Sequence, residues 1–141
     1  MTTPVPEQST HLRMATLRLA RRLRAEKASE DLSDAQFSVL AWLHVSEVLT
    51  LSQLADKDHV SPPSMNRTVN FLEELGFLSR RANELDRRKT DIVLTAAGTA
   101  FVTDTIEIRD AWLERRMREL TVEQRATLAE AAEIMKGLAA Q

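Results

Sequence analysis

Between Thr50 and Thr95 the chain passes through a succession of local signals that few folds can accommodate. Thr50-Leu51-Ser52-Gln53 is a capping box, in which the threonine hydroxyl and the glutamine amide satisfy reciprocal backbone donors. It opens a short helix through Leu54 and Ala55 that should end near Asp58-His59, a pair tolerant of the left-handed backbone a tight turn needs. Ser61-Pro62-Pro63-Ser64 opens a second helix, because proline suits a first turn whose N–H groups have no intrahelical partner. Either Ser61 or Pro62 is its cap, since Pro63 disfavours helical geometry at Pro62. Gly76 fits the left-handed position that stops this helix, with Phe77 turned back towards Leu72. Leu78 to Ala82 and Thr90 to Leu94 then read as two short strands joined by Asn83 to Lys89.

The second helix divides into two faces. Met65, Val69, Leu72 and Leu75 form an inward stripe; Ser64, Asn66, Arg67 and Asn70 face outward, with Thr68 on the margin. Outward residues of these types suit a DNA groove: arginine forks to guanine, asparagine to adenine, and hydroxyls serve bases or phosphates. In the hairpin, Arg80, Arg81, Arg87, Arg88 and Lys89 outnumber Glu84 and Asp86. An arginine at a protruding tip can enter a narrow minor groove, and an aspartate two residues earlier can hold it extended. A solvated helix face and a charged turn are each commonplace alone. Their succession here, over residues 33–95, is the layout of a winged helix-turn-helix.

Helices are predicted on both sides of that module. Residues 1–8 read as a flexible arm, followed by a helix from Ser9 to Ala28 with Leu12, Thr16, Leu19 and Leu23 on one stripe. Its other face carries Arg13, Arg18, Arg21, Arg22, Arg24 and Lys27. Ser33-Asp34-Ala35-Gln36 is another capping box, opening a helix with Phe37, Leu40, Ala41 and His44 on one face. Thr95 caps a long helix to Leu120 that carries Phe101, Ile108, Trp112 and Leu113. Thr121-Val122-Glu123-Gln124 opens a last helix with Leu128, Ala131, Ala132, Met135 and Leu138 on a stripe. Residues 9–141 thus read as one domain, mainly α with a small β-wing. The helices over 9–28 and 96–141 are expected to pack against a second copy; the alternative is a monomer whose helices cover one another.

Composition narrows the chemistry. A net charge of −2 means that any contact with nucleic acid must come from local patches. Cysteine is absent, which removes disulfides, thiolate metal sites and thiol nucleophiles. His11, His44 and His59 lie far apart without helical pairing, so no metal site is expected. With no glycine-rich phosphate loop and no histidine–carboxylate cluster, the expectation is a protein without enzymatic activity or cofactor. No apolar run approaches a membrane span and no signal pattern opens the chain, so the cytoplasm is the expected compartment.

The runs Leu51-Ser52-Gln53-Leu54-Ala55, Val60-Ser61-Pro62-Pro63-Ser64, Leu72-Glu73-Glu74-Leu75-Gly76-Phe77, Asp86-Arg87-Arg88 and Leu94-Thr95-Ala96-Ala97-Gly98 resemble the MarR family of bacterial transcriptional regulators over nearly the whole chain. The resemblance implies a homodimer, acting as a repressor, on a pseudo-palindromic double-stranded operator. The helix of Ser64 to Asn70 would lie in the major groove, and Arg88 would be the minor-groove arginine with Asp86 as its partner. Arg87 occupies a variable position; Ser61, Pro62, Arg80 and Lys89 complete the candidate DNA-facing set. His59 stands where the family frequently has glycine. The family also implies release by a small, often aromatic or phenolic, ligand. His44 is a candidate polar group for such a pocket, or else a hydrogen-bonded core or interface histidine. Three other readings stay open: a winged helix that binds protein, a DNA binder without ligand control, and a membrane-surface role through the arginine-rich first helix.

Overall fold

The computed structural model describes residues 2–141; Met1 of the predicted arm lies outside them. The order is α1 (Val5–Ala25), α2 (Asp34–Ser46), β1 (Val48–Thr50), α3 (Leu51–Lys57), α4 (Pro62–Glu74), β2 (Leu78–Ala82), β3 (Thr90–Leu94), α5 (Ala96–Met117) and α6 (Val122–Ala139). Arg24–Ile108 forms one compact unit, and the two chain ends, up to Leu23 and from Arg109 onward, form another. The boundary falls inside α5, so the end-built unit is smaller than the helices assigned to dimerisation. No helix among the described residues is long and apolar enough to cross a membrane.

In the central unit the caps are formed as the residues dictate. Ser33 with Gln36 and Thr50 with Gln53 make complete capping boxes. Ser61 is the cap of α4, accepting from the Ser64 amide at 3.2 Å, which leaves Pro62 and Pro63 in the first turn. At the other end Gly76 adopts φ +82°, and its amide and that of Phe77 return to the Glu73 and Leu72 carbonyls. This is the six-to-one and five-to-two pattern of a Schellman stop. Between α3 and α4, His59 takes φ 53°, so the left-handed turn forms without a glycine. Asp58 braces that turn: its Oδ1 accepts from Ser38 Oγ at 2.9 Å and Trp42 Nε1 at 2.8 Å, tying the bend to α2.

Four expectations need correction. Val5–Gln8 are helical, not part of an arm; Pro6 sits in the first turn, where its missing N–H costs nothing, and Glu7 complements the helix dipole. The strand pair is a three-stranded antiparallel sheet in the order β1-β3-β2, with Leu49 and Arg80 both opposite Ile92. Strand β1 is three residues long, too short for alternation to register. On α2 the buried residues are Val39, Leu40 and Leu43, whereas His44 is exposed in the last turn. Leu75 is 45% exposed, because it lies nearly a quarter-turn off the Met65–Val69–Leu72 stripe and beyond the end of the helix.

The core of this unit joins Val39, Leu40 and Leu43 to Leu54, Ala55, Met65, Val69, Leu72, Leu78, Ile92 and Val102. Phe101 stacks beside it on Phe77 and Phe37, with ring centroids 4.9 and 6.2 Å apart. In the unit made from the chain ends, Trp112 is buried between cations: the guanidinium carbons of Arg116 and Arg22 lie 3.8 and 5.4 Å from its ring centroid. Thr121 and Gln124 make the third capping box, and Arg125 donates to the Leu120 carbonyl at 2.8 Å. Apolar side chains stay exposed on α1 at Leu12, Leu17 and Leu19, and on α6 at Leu128, Ile134 and Leu138.

One close approach fixes where α5 leaves the wing. Thr95 donates through its hydroxyl to the Gly76 carbonyl and through its amide to that of Phe77, and its hydroxyl caps the Gly98 amide. A Cβ on Gly98 would stand 1.9 Å from the Phe77 carbonyl oxygen, a backbone atom that cannot yield alone. Gly98→Ala is therefore expected to destabilise the protein by at least about 2–3 kcal/mol, read as a lowered urea midpoint. An unchanged midpoint would mean that this junction is loose.

Candidate nucleic-acid interface

Burial of Met65, Val69 and Leu72 rotates α4 so that its polar residues face out. Asn66, Arg67 and Asn70 are exposed, and Ser64 and Thr68 half-buried at the margin. The exposed face therefore holds one arginine and two amides within about one and a half turns, a set able to address base edges.

The wing is ordered by short-range bonds on side chains that composition alone does not flag. Asn83 accepts from the amides of Leu85 and Asp86 at 3.0 and 2.8 Å, while its own amide donates to Asp91 at 2.8 Å. Asp91 is a buried acid on β3, 8% exposed, and so anchors the loop to the sheet. Asp86 in turn accepts from the Arg88 amide at 3.0 Å and from its guanidinium at 3.1 and 3.3 Å. The Arg88 side chain stays 91% exposed while held by this forked pair. The hydrogen bonds from the Arg88 side chain and backbone hold the Asp86 carboxyl below the usual carboxylate range. Asp86 thus keeps its charge, and its hold on Arg88, at neutral pH. The hold is lost only as pH falls through the depressed value.

Part of the predicted set converges. Pro62 and Asn66 of α4, Arg80 of β2, and Arg88 and Lys89 of the wing line one open cleft of ≈ 520 Å³. Arg80 closes across it, donating from Nη2 to Asn66 Oδ1 at 2.9 Å. Ser61, the cap of α4, and Ser64, Arg67 and Asn70 on it lie outside this cleft, as do Asp86 and Arg87 on the loop. His44, exposed on α2, is not brought to it. The cleft also recruits Thr50, Leu51, Ser52 and Gln53 from the first turn of α3. In the sequence these four read as a capping box, and Leu51 to Gln53 as part of the family resemblance, but neither reading places them at the interface. Their fixed spacing to Pro62 was the available signal, since a short helix and a tight turn bring the two helix starts together. Asn83 and Asp91 were missed as well, although asparagine ahead of a long hairpin loop is a familiar turn organiser.

Comparison with known proteins identifies the family and the fold. Residues 32–90 match the sequence profile of the MarR family. An HTH-type transcriptional regulator of Mycobacterium tuberculosis is 32% identical over 130 residues, covering 92% of this chain and 91% of the relative. The HTH-type transcriptional repressor MdtR of Bacillus subtilis is 31% identical over 111 residues, covering 74% and 72%. Among solved structures, a MarR family protein from Bacillus stearothermophilus superposes with a TM-score of 0.85 at 21% identity, covering 97% of this chain and 96% of that one. Wild-type MarR of Escherichia coli in its apo form gives 0.76 at 22%, covering 96% and 98%. The chain belongs to the MarR family of helix-turn-helix, DNA-binding transcriptional regulators.

Proposed function

We propose that this regulator is a homodimeric repressor that lays α4 in the major groove of each operator half-site and sets Arg88 in the adjacent minor groove. The observation that carries the reading is the common cleft lined by α4 and the wing, with Arg88 held out beside it by Asp86. Arginine extended by a carboxylate arrives pre-ordered, so little side-chain entropy is lost on entering a narrow groove. The MdtR relative is a repressor, and we extend that sign to this chain. Dimerisation is supported by the apolar side chains of α1 and α6, which the end-built unit leaves exposed. Release by a small aromatic or phenolic ligand completes the reading, and His44 on α2 is accessible to one. A protein-binding winged helix is the competing reading, and it predicts binding that neither salt nor loss of Arg88 disturbs.

Titration of operator DNA across salt concentrations separates the two. Arg88→Ala is expected to weaken binding and to lower the slope of log K against log salt by about one unit; an unchanged slope and affinity would remove the wing. Arg67→Ala and Asn70→Ala should each relax preference at one base pair, by about 1–3 kcal/mol. A selected consensus identical to wild type would show that α4 is not the reader. Met135→Asp places a charge on the α6 stripe and should yield monomer by sedimentation, while persistence of dimer would move the interface elsewhere.

A further inference from the structure

Arginine has donors only, so the atom of Asn66 that meets Arg80 Nη2 at 2.9 Å is necessarily the carboxamide oxygen. A free asparagine reads adenine with both ends of its amide, accepting from the N6 amino group and donating to N7. Here the accepting end is already engaged. An adenine amino group brought to the same oxygen would also meet the guanidinium N–H groups, donor against donor. What Asn66 still offers outward is its amino group. Guanine presents two acceptors, N7 and O6, to such a donor; thymine presents one, and cytosine presents an opposing amino group.

The clamp is held from its own side of the cleft. Arg80 lies within β2, paired in register opposite Ile92, and is half-buried. No carboxylate among the described residues is within ion-pair range of it. Its positive charge therefore stays beside Asn66 in the cleft they share, and this again favours an edge rich in acceptors.

We propose that Arg80 is a specificity-determining residue acting through Asn66: by occupying the carboxamide oxygen it converts an adenine reader into a donor that selects guanine. The inference rests on the DNA-binding reading above. Selection from randomised duplexes followed by sequencing tests it, with Asn66→Ala locating the base pair concerned as the one position that relaxes. Wild type is expected to favour guanine there by about tenfold over adenine. Arg80→Ala is expected to shift that position to adenine while its neighbours keep their preferences. Asn66→Asp retains the partner of Arg80 but loses the amino donor, and is expected to abolish the guanine preference even if Arg80→Ala is poorly folded. Adenine at that position in wild type, the same base selected by Arg80→Ala, or guanine retained by Asn66→Asp overturns the proposal. If wild type enriches no sequence at all, the DNA-binding reading itself fails.

Discussion

Burial of Met65, Val69 and Leu72 fixes the rotation of α4, and every argument about the interface depends on that rotation. Three such side chains removed from water contribute on the order of 5–9 kcal/mol. That is comparable to the net stability of a whole domain. Turning the helix a quarter towards Asn66 and Asn70 would expose part of the stripe and bury those two amides without partners. The bond between Arg80 and Asn66, by contrast, contributes about 1 kcal/mol. It chooses a side-chain pose on a helix whose orientation is already set.

The second constraint is the backbone junction around Gly76, Phe77, Thr95 and Gly98. A Schellman stop ends α4, and the same two residues, Gly76 and Phe77, offer their carbonyls to Thr95 at the start of α5. The wing leaves and returns through this one clasp, so β2 and β3 are registered to α4 by main-chain geometry. Beyond the clasp the loop orders itself. Asn83 is tied to the buried Asp91, and Asp86 holds Arg88 by forked bonds while most of that side chain remains in water. A charge-assisted pair this exposed adds little to stability. Its consequence is positional: the guanidinium is presented, not merely present.

Much of this is legible in the sequence, for identifiable reasons. Capping boxes, proline in a first turn and glycine after a last turn are local events, and their residues decide them without help from the rest of the chain; Ser33, Thr50, Ser61, Gly76 and Thr121 all behaved so. What escaped depends on partners distant in sequence. β1 exists because Leu49 finds Ile92, not because three residues prefer a strand. On α2, which is apolar around most of its circumference, packing adds Val39 and Leu43 to Leu40 in the core, sets Phe37 against Phe101 and leaves His44 exposed. Likewise the Arg80–Asn66 and Asn83–Asp91 bonds join residues that no periodicity connects. The candidate site was thus readable as a set of residue types, while its wiring was not.

Hydroxyl-radical footprinting of the purified protein on its selected operator is the most direct test of the central claim. A homodimer that reads with α4 and the wing predicts two equivalent protected half-sites, their centres about one helical turn apart. Each should carry sugar protection in the adjacent minor groove where Arg88 enters. Protection of a single half-site, or of the major-groove flanks without the minor groove, would contradict it.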